Sequence, residues 1–181
     1  IPIPDKDKII HFMGLSLSEV FRKIMQKQEE ALYEKLVADY RVFYRKYLTQ
    51  KTKIFPGIKN MLSQLKKKGV LCSVATSKKT EFAVTSSQYL GIAQYIDFYI
   101  GDDMVIKKKP NPEMLEVTLV KLDIKKEHAL MIGDSTFDIE MGNVFGIDTC
   151  AVTWGAHTKK LLKASNPTYI IENPLELLKF T

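Results

Sequence analysis

With 181 residues, 45% hydrophobic and 27% charged, the chain can bury one sizeable core and a small accessory unit, and its composition is that of an ordinary globular protein. Its 27 basic and 21 acidic residues give a net charge of +6, an excess that suits nucleic acid, an anionic membrane or phosphorylated small molecules. The lysines fall in short scattered runs without interleaved aromatics, which argues against nucleic acid, and no apolar stretch or signal peptide argues for a membrane.

Residues 1–53 read as helices only. Gly14-Leu15 marks a turn between a first short helix and a second, which Ser16-Leu17-Ser18-Glu19 opens in capping-box form. A longer helix is expected from Glu29 to Leu48, with Leu32, Leu36, Val37, Tyr40, Phe43, Tyr44 and Tyr47 as a broad apolar stripe.

Ile54-Phe55-Pro56-Gly57 is a break, and strands alternate with helices after it. Ile58, Met61, Leu62 and Leu65 make one helix face, and Gly69 ends that helix. Strands are expected at Val70 to Ala75, Asp97 to Ile100, His128 to Ile132, Ile147 to Thr153 and Thr168 to Ile171. Helices are expected at Thr80 to Leu90, from an Asn111 cap with Pro112 in the first turn, around Ile139 to Phe145, and after Asn173-Pro174. Cys72 and Cys150 fall inside expected buried strands without zinc spacing, and read as reduced core residues of a cytoplasmic protein. This alternation predicts an α/β fold, a doubly wound and mainly parallel sheet at 54–181, with a small all-helical cap at 1–53.

Three expected strand ends carry polar residues: Thr76-Ser77-Lys78, the loop Lys107-Lys108-Lys109-Pro110-Asn111-Pro112, and Gly133-Asp134-Ser135 with Asp138 four residues after Asp134. Open α/β sheets bind ligands at the carboxyl ends of their strands. Each residue has a plain reading, Thr76, Ser77 and Ser135 as helix caps and Lys109 as a solvated lysine. Together, a hydroxyl, an ammonium and a carboxylate pair make a phosphate site on chemical grounds, with Mg²⁺ held by Asp134 and Asp138.

These residues resemble the haloacid dehalogenase-like hydrolases, in particular a phosphoglycolate-phosphatase-like branch with a helical cap. Tyr40-Arg41-x-x-Tyr44 and Phe55-Pro56-Gly57-Ile58 are similar to the passage from cap to core. Val74-Ala75-Thr76-Ser77-Lys78, Lys109-Pro110-x-Pro112 and Ile132-Gly133-Asp134-Ser135-x-x-Asp138 are similar to the second, third and fourth motifs of the family. The resemblance implies a Rossmann-like core and Mg²⁺-dependent hydrolysis of a small phosphorylated metabolite. It implies Thr76, Ser77 and Lys109 as phosphate-binding groups, Asp134 and Asp138 as metal residues, and Gly14-Leu15 as the cap loop facing the substrate. A phosphosugar mutase, an inorganic pyrophosphatase of the same family and a catalytically dead binding module stand as alternatives.

The first motif of the family, Asp-x-Asp-Gly-Thr after a hydrophobic strand, is absent from 1–181. It carries the nucleophile, and its strand lies between those that end at Thr76 and Asp134. The expectation is therefore a sheet split at its centre and a chain that is inactive and poorly stable alone. Either the Ile1 start belongs to a longer protein, which the retained Thr76, Lys109, Asp134 and Asp138 favour, or the protein is a variant that has lost catalysis.

Overall fold

The computed structural model describes residues 4–25 and 28–181; residues 1–3 and 26–27 of the expected cap lie outside the described residues. The first helices are α1 (Lys6–His11), α2 (Leu17–Ile24) and α3 (Glu30–Lys51). Ser16 caps α2 with the expected reciprocal box, its hydroxyl accepting from the Glu19 N–H and the Glu19 carboxylate accepting from the Ser16 N–H. α3 runs three residues past the expected end at Leu48. Its stripe is only partly core: Val37 is buried, but Tyr40 and Phe43 are exposed. Tyr40 and Tyr44 line a cavity, and Tyr44 also meets the buried Phe82 ring edge-on, so an apolar stripe here marks a cavity wall as well as a core face.

After the break come α4 (Ile58–Lys67), β1 (Ser73–Ala75), α5 (Thr80–Tyr89), β2 (Phe98–Ile100) and α6 (Glu113–Leu122). β1 is shorter than expected because its ladder to β2 covers only Ser73↔Phe98 to Ala75↔Ile100. Cys72 lies just before it and is half-buried, a correction to the expectation of a buried strand position; its N–H is held by the Asp97 carboxylate. α6 also begins later than expected. Pro112 occupies the cap position, and Asn111 contributes through its side chain, which accepts from the Glu113 N–H.

β3 (Leu130–Gly133), α7 (Thr136–Phe145), β4 (Asp148–Val152), α8 (Lys159–Ala164) and β5 (Tyr169–Ile171) complete the core. α8, capped by Thr158, has no counterpart in the sequence reading; six residues rich in lysine are too few to show a period. The closing segment Pro174–Phe180 winds as a 3-10 helix under an Asn173 cap. Cys150 is fully buried in β4, and burial with the nearby Glu176 charge pushes its thiol up to about 11.

All strand pairs are parallel, but they form two sheets, β1–β2 and β3–β4–β5. The expected split is present: among the described residues neither β1 nor β3 has a second strand partner. Side chains hold the halves together where backbone hydrogen bonds do not. On one face Met61, Leu62 and Leu65 of α4 pack with Cys150, Val152, Ile171 and Leu177, and Cys72 joins them from beside β1. On the other, Ile100, Met114 and Leu115 pack with Met131, Met141 and Phe145. The two apolar layers cover both half-sheets and leave the carboxyl ends of β1 and β3 open.

Candidate active site

The ends of β1 and β3 and the cap enclose a cavity of about 650 Å³, within the usual range for small-molecule sites. All seven expected site residues line it or lie beside it. Thr76, Ser77, Lys109, Asp134 and Asp138 line it from the core, and Gly14 and Leu15 line it from the cap.

Lys109 is 4% exposed, and its Nζ donates to the Ala75 carbonyl at 2.9 Å and to Asp138 Oδ1 at 2.7 Å. One lysine thus ties the end of β1 to the helix after β3, across the split. An ammonium has three donors, so one remains for a ligand. Asp138 is equally buried, and its Oδ2 accepts from the Ser135 hydroxyl at 2.8 Å and the Ser135 N–H at 3.2 Å. The capping reading of this stretch is present, since Ser135 and Asp138 form the capping box of α7, and Asp138 also pairs with Lys109. Gly133 is required by this arrangement, because a side chain there would collide with the Asp138 carboxyl.

Thr76 donates its N–H to the Ile100 carbonyl at 2.9 Å, and its hydroxyl oxygen accepts from the Lys78 N–H at 3.2 Å, while the hydroxyl proton has no acceptor among the described residues. The Ser77 hydroxyl donates to the Gly14 carbonyl at 2.5 Å, and its own N–H has no partner among the described residues. Gly14, at φ 109°, seats the cap turn directly against Ser135; a Cβ there would come within 2.9 Å of the Ser135 Cβ. The structure therefore places the Gly14-Leu15 turn on the same cavity as the strand ends.

Asp134 is positioned by the loop after β4. Its Oδ2 accepts from the Ala156 N–H at 2.8 Å, and its backbone carbonyl accepts from the His157 N–H at 3.0 Å. His157 is itself buried. Its Nδ1 accepts from the Thr136 N–H at 3.0 Å, so Nε2 carries the proton and donates to the Ile10 carbonyl of α1 at 3.2 Å. Neither Ala156 nor His157 stood out in the sequence. The only signal was Gly155-Ala156-His157 following the end of a strand.

Among the described residues no three His, Cys, Asp or Glu side chains converge on a metal position. Mg²⁺ usually takes one or two carboxylates and completes its shell with water and phosphate oxygens. Asp134 fits one such position, since Oδ2 is anchored and Oδ1 has no partner among the described residues. Asp138 has both oxygens engaged, which suits the orienting role more than direct ligation.

Residues 1–152 match the profile of the haloacid dehalogenase-like hydrolases. The chain belongs to that family. This hydrolase is 32% identical to a "Probable phosphatase IndB" of Dickeya dadantii over 98% of its own length and 79% of that protein. It is 29% identical to a pyrophosphatase PpaX of Bacillus cereus over 96% of its length and 78% of that protein. A solved structure described as a haloacid dehalogenase-like hydrolase of Bacteroides fragilis superposes with a TM-score of 0.90 at 26% identity, covering 96% of this chain and 82% of that one. The α/β fold is thus that of the family.

Proposed function

We propose that this hydrolase is a Mg²⁺-dependent phosphatase acting on a small phosphorylated metabolite through an aspartyl-phosphate. The single observation that carries the reading is Lys109, buried at the end of the cavity and held between Ala75 and Asp138 with one donor to spare. A lysine fixed this way is a phosphate ligand in waiting. The Thr76 hydroxyl and the Ser77 N–H donate to the remaining phosphoryl oxygens, as preorganised donors do in a water-poor site. Asp134 Oδ1 would hold the metal, and Asp138 would keep the Lys109 side chain aimed. Mg²⁺, when bound there, supplies charge neutralisation to the transferring phosphoryl group.

Among the described residues the cavity's unengaged carboxylate oxygens are Asp134 Oδ1, assigned here to the metal, and Asp102 Oδ1, beside Arg41, and the sheet is open between β1 and β3. The proposed nucleophile is an aspartate outside 1–181, carried by a strand that fills this opening. Names among the relatives favour a second reading of the substrate, an inorganic pyrophosphate rather than a phosphate monoester. The same donors serve both.

The coding sequence around this chain provides the test. An Asp-x-Asp strand there, with Mg²⁺-dependent phosphate release from a panel of phosphate esters and pyrophosphate, is the expected result. If no such strand is encoded and no compound in the panel is turned over, the protein is a binding module and the enzyme reading fails.

A further inference from the structure

The cavity has a second polar end that this chemistry does not use. Arg41 of α3 and Lys79 ahead of α5 line both the main cavity and a neighbouring one of about 360 Å³, and Asp102 stands between the two. Arg41 makes no hydrogen bond among the described residues; its one ionic contact, Nη2 to Asp102 Oδ2, is 3.8 Å, outside hydrogen-bond range. The Lys79 carbonyl caps the first turn of α5 by accepting from the Phe82 and Ala83 N–H groups, but its ammonium has neither a hydrogen bond nor an ion pair among the described residues. Asp102 is 7% exposed, and its Oδ1 is buried without a partner. Burial pushes this carboxyl above the usual range, against the pull of Arg41 and Lys108.

Other charges at this point are already engaged. The Lys108 ammonium donates to the Asp102 and Val105 carbonyls, and Asp103 accepts from the Thr80 N–H and hydroxyl. Two cations with unused donors therefore face one space, restrained but not satisfied by Asp102. A guanidinium presents a planar fork that matches carboxylate and phosphate, and a partly buried one gains most from such a ligand. Arg41 belongs to the cap and Lys79 to the core, so one anion between them would join the two units.

We propose that Arg41 and Lys79 form a second anion subsite, so that the hydrolase selects substrates with a phosphate at one end and a further carboxylate or phosphoryl group at the other. The inference rests on the phosphatase reading of the Thr76 and Lys109 end. It is tested by calorimetry on the 181-residue chain with Mg²⁺, using phosphonoacetate and methylenediphosphonate, anionic at both ends, against ethylphosphonate, anionic at one. The two-ended compounds should bind about tenfold more tightly or better, as one or two charge-assisted hydrogen bonds allow. Arg41→Gln and Lys79→Gln should each remove most of that advantage, with Arg41→Lys keeping part, while circular dichroism shows the variants folded. Whichever two-ended compound gains more distinguishes carboxylate from phosphoryl. Equal binding of all three compounds, no binding of any, or an advantage untouched by Arg41→Gln overturns the subsite. Ethylphosphonate binding that survives Thr76→Ala, beside an Arg41-dependent advantage, would instead overturn the phosphate-end reading and leave the subsite standing.

Discussion

Lys109 and Asp138 show how much one pair of residues decides in this molecule. Both are buried, and each satisfies the other, so removing one leaves an uncompensated charge in a low-dielectric interior. Lys109→Met should destabilise the fold by about 3–5 kcal/mol, read from urea unfolding. A loss under about 1 kcal/mol would show the pair to be solvated like an ordinary surface bridge. Asp134 is the opposite case, since only one of its oxygens is engaged by the loop after β4. Asp134→Asn keeps the size and the Ala156 contact but removes the charge a cation needs. In the complete enzyme it should abolish Mg²⁺-dependent phosphate release, while retained turnover would sink the metal assignment. The residue types at both positions were legible in the sequence. Their division of labour was not, because it depends on which oxygen meets which donor.

At the scale of elements, α7 is placed by its own first turn. Ser135→Ala removes the hydroxyl that accepts from the Asp138 N–H and donates to its carboxylate, and should cost about 1–2 kcal/mol. Thermal melts read this directly, and an unchanged midpoint would show the box to be incidental. A second tie joins β2 to the start of β1. Burial pushes the Asp97 carboxyl upward, but the Lys66 ammonium and the Cys72 N–H hold it below its ordinary value of 3.8. A carboxylate depressed in the fold stabilises it above the unfolded value, and that contribution disappears as pH falls through the folded one. Unfolding midpoints should therefore drop as pH is lowered below about 4, less steeply in Asp97→Asn than in the parent. Parallel slopes would remove Asp97 from the account. Element types and order were readable because short apolar runs alternate with stretches of helical spacing along the chain. The boundaries of β1 and α6 were not, because a ladder ends where its partner ends and Pro112 shifts the first turn.

Across 1–181 the two half-sheets are held together by apolar layers and, at the strand ends, by Lys109. An open sheet centre exposes unpaired backbone edges, which costs stability and invites association. The 181-residue chain is expected to release no phosphate above background from esters or pyrophosphate with Mg²⁺, since the proposed nucleophile lies outside it. Robust turnover by this chain alone would show that a residue within 1–181 attacks phosphorus.

The sequence by itself determined the α/β class, the helices of 1–53 and the strand ends that carry Thr76, Lys109 and Asp134, because each is written in local period, turn chemistry or motif spacing, while the split of the sheet was implied by the resemblance to the family. The tertiary structure decided what local spacing cannot encode. It brought the Gly14 turn against Ser77 and Ser135, set Ala156 and His157 behind Asp134, and gathered Arg41, Lys79 and Asp102 where cap meets core. Those residues are distant in the chain, and only the packing of the Gly14 turn, the loop after β4 and α3 against α5 makes them neighbours.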